Sequence, residues 1–267
     1  MAYNFADKTA IITGASSGIG LEIARLLHQH GCHVTLVARR EELLKSEVAA
    51  MNSIRSSSAR AFPCSLLAPD RSRIEDLVRS ESFDILIANA GRGSFGYFES
   101  LSIDSEMEMI ELNIVAPARL MHAAIPAMKI KRAGVILTVS SIAAFQPLPY
   151  MSTYSATKAF NLNHAIALRQ ELKSFGVRVI SLCPGPTLTE YHTRAGIPAG
   201  WSAAYHDHAQ RVAEGAIYAI QHNLDWITPG FRSGWLARLA RIMPLSISTM
   251  IAERILAQAV RAIPQEA

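Results

Sequence analysis

Seven short apolar runs, separated by segments of helical periodicity, constrain the fold of this chain more than any other feature. TAIIT (9–13), HVTLVA (33–38), ARAFPC (59–64), FDILIA (83–88), GVILTVS (134–140), VRVISLC (177–183) and DWIT (225–228) read as buried strands. Between them, helical periodicity runs over about 19–30, 41–54, 70–80, 104–131, 155–174 and 207–222. Strand and helix in alternation argue an α/β fold, with a parallel sheet covered by helices on both faces. No internal repeat, low-complexity tract or long linker divides the chain. The expectation is one doubly wound domain over 1–230 and a C-terminal helical extension of that domain over 231–267.

Half of the 267 residues are hydrophobic and 18% are charged, which fits a soluble globular chain with a large core. The formal net charge is only +4 and the basic residues are dispersed, so nucleic acid is not an expected partner. Cys32, Cys64 and Cys183 are far apart and read as small core residues in a reducing compartment. The start, MAYNFADK, lacks the pattern of a signal peptide, and a cytoplasmic location is expected. No apolar run reaches the ~18 residues of a membrane-spanning helix.

TGASSGIG (13–20) closes the first strand and opens the first helix. Gly14 permits the sharp turn, Gly18 lets backbone approach a pyrophosphate, and Gly20 allows the helix to pack closely. A helix N-terminus points unpaired N–H groups at an anion. Ser16, Ser17 and Ile19 therefore join the three glycines as candidate contacts of a dinucleotide. The second strand ends LVARR (36–40). An acid here would bind both ribose hydroxyls of NAD(H) and repel a 2′-phosphate. Ala38 takes that place, and the Arg39 guanidinium suits phosphate. Arg40 is either a second phosphate contact or a solvated residue at a helix start. The pair points to NADP(H).

YSATK (154–158) places Tyr154 and Lys158 four residues apart, on one face if the stretch is helical. A neighbouring ammonium favours the phenolate. Moving a tyrosine pKa from ~10 to ~7 takes about 4 kcal/mol, of which one lysine in a partly dry site supplies part. Further upstream, Pro117 has no N–H to give the carbonyl of Asn113, four residues before it. Either that carbonyl is kept open for a purpose or the helix tolerates a kink.

TGASSGIG, NAG (89–91), Asn113, Ser141, YSATK and PGPTLT (184–189) occur in this order. Together they resemble the short-chain dehydrogenase/reductase superfamily, over about residues 5–230. The resemblance implies a Rossmann-type sheet of seven parallel strands in order 3-2-1-4-5-6-7, a nicotinamide cofactor and a catalytic set at Asn113, Ser141, Tyr154 and Lys158. It implies an oxidoreductase exchanging a hydride between nicotinamide and a small apolar carbonyl or alcohol. Tyr154 would be its general acid or base. Lys158 would lower the tyrosine pKa and hold the nicotinamide ribose, and Ser141 would bond the substrate oxygen. Ser141, thirteen residues before Tyr154, fits the family spacing; Ser140 would support backbone. The carbonyl of Asn113 would hold a water that leads to the lysine.

The resemblance also makes Asn89, Ala90, Gly91, Pro184, Gly185, Thr187 and Thr189 cofactor contacts, with Asn89 steadying the sheet as well. Two positions depart from the family. Ala88 replaces the first residue of NNAG, and Ser65 stands where an acid reads the adenine. Family members pair subunits through the helices at 104–131 and 155–174, which implies a homodimer or homotetramer.

On the substrate side, residues 190–206 form a long connection of the kind that serves as a lid or binding element. Tyr191, Trp201 and Tyr205 either line an apolar pocket or anchor the loop. Arg92 to Phe98 form a candidate opposite wall. His206 and His208 lack a third ligand at metal spacing, and no metal is expected. The segment at about 231–262 reads as two amphipathic helices broken at Pro244. They pack on the protein as a lid or a subunit contact, or lie on a membrane surface.

Overall fold

The computed structural model describes residues 3–198 and 207–261. Its strands are β1 (Thr9–Thr13), β2 (His33–Ala38), β3 (Ala59–Pro63), β4 (Ile85–Ala88), β5 (Gly134–Val139), β6 (Val177–Leu182), β7 (Thr187–Leu188), β8 (Asp207–His208) and β9 (Trp226–Ile227). Seven form one parallel sheet in the order β3-β2-β1-β4-β5-β6-β9, and β7 pairs with β8 in a separate two-residue ladder. This is the expected order, with β9 as the seventh strand.

Period-two geometry explains why the strands are apolar at nearly every position. Ile12 of β1 packs with Ile23 and Leu27 of α1 (Gly18–Gln29) and with Val212 of α8 (Ala209–His222). Its neighbour Ile11 joins the opposite cluster, with Ile74 and Leu120. All six residues of β5 are buried. Helix α2 (Glu41–Ile54) accompanies the first cluster, while α3 (Arg71–Glu81), α5 (Ala116–Lys131) and α6 (Ser152–Leu172) cover the second.

The segment read as one helix over 104–131 is interrupted. It consists of α4 (Ile103–Ile110), a π-helical turn at Glu111–Val115, and α5. The Ala116 N–H reaches back five residues to the carbonyl of Glu111, and Pro117 offers no N–H at all. The hydrogen-bond register slips where Asn113 turns inward, 1% exposed. Such π turns occur frequently at functional sites.

After the short α7 (Tyr191–Arg194) and α8, the chain ends in α9 (Phe231–Ile242) and α10 (Leu245–Arg261), parted around Pro244 as expected. Both lie on the protein with small inner faces. Ala237 and Ala240 meet Phe145 and Leu162, while Leu256, Ala259 and Val260 meet Phe95, Met109 and Tyr154. They cover the carboxyl edge of the sheet. There the strand order reverses between β1 and β4, the switch point at which open α/β sheets bind ligands.

Candidate active site

The loop after β1 is shaped by its contact with the loop after β4. Gly14 has φ +69°, and a Cβ on it would stand 2.7 Å from Asn89 Nδ2. A Cβ on Gly20 would collide with the same amide. Asn89 Nδ2 donates to the Thr13 carbonyl at 2.8 Å, and Thr13 Oγ1 accepts from the N–H groups of Asn89 and Ala90. Asn89 therefore clamps β1 to β4 and also lines the cleft. Ser17 stands at the N-cap of α1 without capping it, and the first turn carries no acid. The helix N-terminus is left positive toward the cleft.

Both arginines at the end of β2 line the cleft. Arg39 is exposed. Arg40 is the residue built into the loop: it donates to Ser16 Oγ at 2.9 Å and to Ser17 Oγ at 2.7 Å. Across the opening, Glu190 accepts from Arg40 at 3.0 Å and from Ser17 Oγ at 3.2 Å. Its neighbour Arg40 holds the Glu190 carboxyl below the usual range, with help from Arg194 and Ser17. A carboxylate thus occupies an anion-binding corner of the glycine loop. Ser65, the departure at the adenine end, lines the cleft and accepts the Leu67 N–H.

Tyr154, Lys158, Ser141 and Asn113 converge at the floor. Helix α6 carries the first two. Tyr154 is 8% and Lys158 5% exposed. The Lys158 Nζ donates to the Val139 carbonyl at 2.8 Å and lies 5.7 Å from the centre of the Tyr154 ring. Ser140 Oγ donates to the Lys158 carbonyl at 2.7 Å, so Ser140 supports backbone and Ser141 faces the cleft. Ser141 caps a short turn by accepting the Ala143 N–H, and its hydroxyl also faces Tyr154. The Asn113 side chain accepts the Arg92 N–H at 3.0 Å and donates to the Arg92 carbonyl and to Thr157 Oγ1. It ties the β4 loop to α6.

One expectation is corrected here. The lysine was expected to lower the tyrosine pKa. Instead burial pushes the Tyr154 phenol up, opposed only by the hydroxyls of Tyr191 and Ser141. Burial also pushes Lys158 down to about 8. The ammonium turns toward Val139 rather than the phenol, and removal from water disfavours charge on both groups.

The cleft holds about 1170 Å³. The glycine loop and arginines bound one end; Pro184, Gly185, Thr187 and Thr189 bound its middle. At the other end Leu236, Leu239, Met243, Ile251, Ile255 and Leu256 give an apolar lobe. The C-terminal helices are therefore a wall of the site. The opposite wall is smaller than expected. Of the segment 92–98 only Arg92 and Gly93 face the cleft, while Phe95 enters the core and Phe98 is exposed. Tyr191 lines the cleft; Trp201, Tyr205 and His206 lie outside the described residues. Among the described residues no three His, Cys, Asp or Glu side chains are grouped to hold a metal.

A family profile described as short chain dehydrogenase matches residues 8–197, from β1 to the end of the α7 segment. This chain belongs to the short-chain dehydrogenase family. An uncharacterized oxidoreductase of Staphylococcus aureus (strain USA300) is 30% identical over 225 residues, covering 80% of this chain and 91% of that protein. A short-chain dehydrogenase from Sphingobium yanoikuyae, solved with NADPH, superposes with a TM-score of 0.80 at 27% identity, over 97% of this chain and 98% of that one. A 3-ketoacyl-(acyl-carrier-protein) reductase from Brucella melitensis, solved with NADH, gives 0.73 at 25% identity over 86% and 99%. The dehydrogenase is thus an oxidoreductase of a fold that binds nicotinamide cofactors.

Three site residues of this dehydrogenase escaped the sequence reading. Thr157 sits inside YSATK, yet only the structure shows its hydroxyl receiving the Asn113 amide. Glu190 follows TLT directly, and an acid beside a phosphate loop was the available signal. Thr13, at the end of β1, organises the NAG turn through a hydroxyl that no local pattern singles out.

Proposed function

We propose that this dehydrogenase exchanges a hydride between NADP(H) and carbonyl or alcohol compounds with large apolar substituents. The observation that carries this reading is one continuous cleft. It joins a glycine loop with two arginines, a buried tyrosine beside a half-buried serine, and an apolar lobe roofed by α9 and α10. The residues present fit such a cofactor. The space that Gly20 and Gly14 leave beside Asn89 keeps the loop tight, and Ser16, Ser17 and Arg40 form a corner that already binds a carboxylate.

When bound, the nicotinamide supplies the hydride to the carbonyl carbon, or takes it back. The protein handles the rest. In reduction Tyr154 gives its proton to the substrate oxygen, and in oxidation it takes the proton back. Ser141 donates to that oxygen as charge develops on it. Lys158, whose ammonium rests on the Val139 carbonyl, would hold the nicotinamide ribose. Asn113 holds the Arg92 backbone and Thr157 so that the floor keeps its shape. The lobe excludes water from the reacting oxygen.

Cofactor choice rests on Ala38, Arg39 and Arg40. A charge-assisted hydrogen bond to the 2′-phosphate is worth roughly 1.5–3 kcal/mol, or about ten- to a hundredfold in affinity. The ratio of kcat/KM for NADPH over NADH, measured at one ionic strength, should favour NADPH and fall in Arg39→Ser and in Arg40→Ser. Ala38→Asp with Arg39→Ser should turn preference toward NADH. Equal use of both cofactors by the unmodified enzyme removes the basis of this assignment.

The outer face of α9–α10 favours a second reading, a reductase working at an anionic lipid surface. Phe231, Trp235, Ile242 and Leu245 are exposed there and do not line the cleft. Arg238, Arg241, Arg254 and Arg261 are four of their five arginines, Arg232 being the other, and no ion pair among the described residues joins these four. A two-fold contact between copies would set these cations against each other, whereas anionic lipid complements them. The enzyme should co-sediment with phosphatidylglycerol vesicles at low salt and be released by high salt. Trp235→Ser with Ile242→Ser should abolish the effect; equal sedimentation of both proteins, or of neither, removes this reading.

A further inference from the structure

A second tyrosine hydroxyl stands unassigned beside the proposed proton donor. Tyr191 opens α7, and its backbone N–H is held by Thr189 Oγ1 at 3.3 Å. Its ring lies 5.5 Å from that of Tyr154, tilted by 47°. Its hydroxyl is buried and faces that of Tyr154, but no hydrogen bond of good geometry satisfies it among the described residues. The position is reached through Gly93: a Cβ on that glycine would collide with the Tyr191 hydroxyl. A side chain serving only as a hydrophobic anchor would gain by ending at the ring, because an unpartnered buried hydroxyl costs stability.

We infer that Tyr191 is a third hydroxyl of the reaction centre, which completes its hydrogen bond on the substrate oxygen beside Tyr154 and Ser141. The inference rests on the functional reading above and adds a residue to it. Two features support the donor role. Burial, with the neighbouring Tyr154, holds the Tyr191 phenol well above its usual range, so it stays protonated at every working pH. Tyr191 lines the same cleft as Tyr154 and Ser141, and its buried hydroxyl lies on the Tyr154 side of it. In reduction the carbonyl oxygen gains negative charge as the hydride arrives, and the proton that neutralises it leaves Tyr154. Tyr191 donates a hydrogen bond throughout and transfers nothing. It binds the charged oxygen more strongly than the neutral carbonyl, which lowers the barrier.

Tyr191→Phe keeps the ring and removes the hydroxyl, so it separates this role from packing. With NADPH and an aryl ketone, kcat should fall by roughly ten- to a hundredfold, while NADPH affinity, read by fluorescence titration, stays unchanged. The alkaline-rising limb of alcohol oxidation, which follows loss of the Tyr154 proton, should move to higher pH. Tyrosinate absorbance of the ligand-free protein gives a readout independent of turnover: the step absent from Tyr154→Phe should also move up in Tyr191→Phe. Gly93→Ala should displace the hydroxyl and lower kcat similarly, and the double variant should be no worse than either single one. An unchanged kcat and an unmoved pH limb in Tyr191→Phe overturn the inference. If Tyr154→Phe is itself fully active, the functional reading fails instead, so the two failures are distinguishable.

Discussion

Tyr154→Phe should lower ketone reduction by about a thousandfold and leave NADPH binding nearly untouched. The ring, which packs with Phe95 and Met109 in the cluster under α10, remains in place; only the proton donor is lost. A measured kcat/KM that collapses with unchanged cofactor affinity marks an interaction made only in the transition state. The pH dependence has a definite sign. The acid must be protonated for reduction, and burial raises the Tyr154 pKa. Reduction by the unmodified enzyme should therefore persist into mildly alkaline solution and decline as pH rises through that raised value. Oxidation should rise over the same range. Retained activity in Tyr154→Phe would mean that another group supplies the proton.

The sheet was legible because its strands are buried on both faces and leave uninterrupted apolar runs. β5 is apolar or small at almost every position, and its predicted and observed starts coincide at Gly134. β9 was legible as the short apolar run DWIT; in the structure it contributes two residues, Trp226 and Ile227. The π turn was invisible to periodicity. A one-residue slip leaves the apolar pattern over 104–131 nearly intact, and its cause is tertiary: the Asn113 side chain has partners on the β4 loop and on α6.

The site was legible where its spacing is local and obscure where it depends on contacts between distant segments. Tyr154 and Lys158 share a helical face, as their spacing requires. Spacing does not fix where a long lysine arm ends, and here it ends on Val139. Arg40 meets Glu190 across 150 positions of sequence. No local pattern announces that the residue after Arg39 would be the one bonded into the glycine loop. Tyr191 and Gly93 are a similar case, since the absence of a side chain at one makes room for a hydroxyl from the other.

Lys158 provides the second large expected effect, on stability as well as activity. Its side chain is buried with its ammonium on the Val139 carbonyl, and its pKa falls from 10.5 to about 8. An unfolded chain would hold the proton up to about 10.4. Between these values the unfolded state binds more protons than the folded one, so stability rises with pH across roughly 8 to 10. Below about pH 8 both states are charged, and the whole cost of burying the ammonium remains, about 3 kcal/mol. Lys158→Met removes that charge and forfeits one hydrogen bond worth about 1 kcal/mol. The ligand-free variant should thus be more stable at pH 7 by about 2 kcal/mol, and the advantage should vanish near pH 10 as the wild-type lysine loses its charge in the unfolded state too. Urea unfolding of both proteins at the two pH values measures this directly. The same variant should lose turnover, because no ammonium is then left to hold the nicotinamide ribose. A pH-independent difference, or a variant less stable at pH 7, would show that the buried lysine is compensated in the ligand-free protein. Gain of stability together with loss of activity would show that this site holds a strained charge for its chemistry.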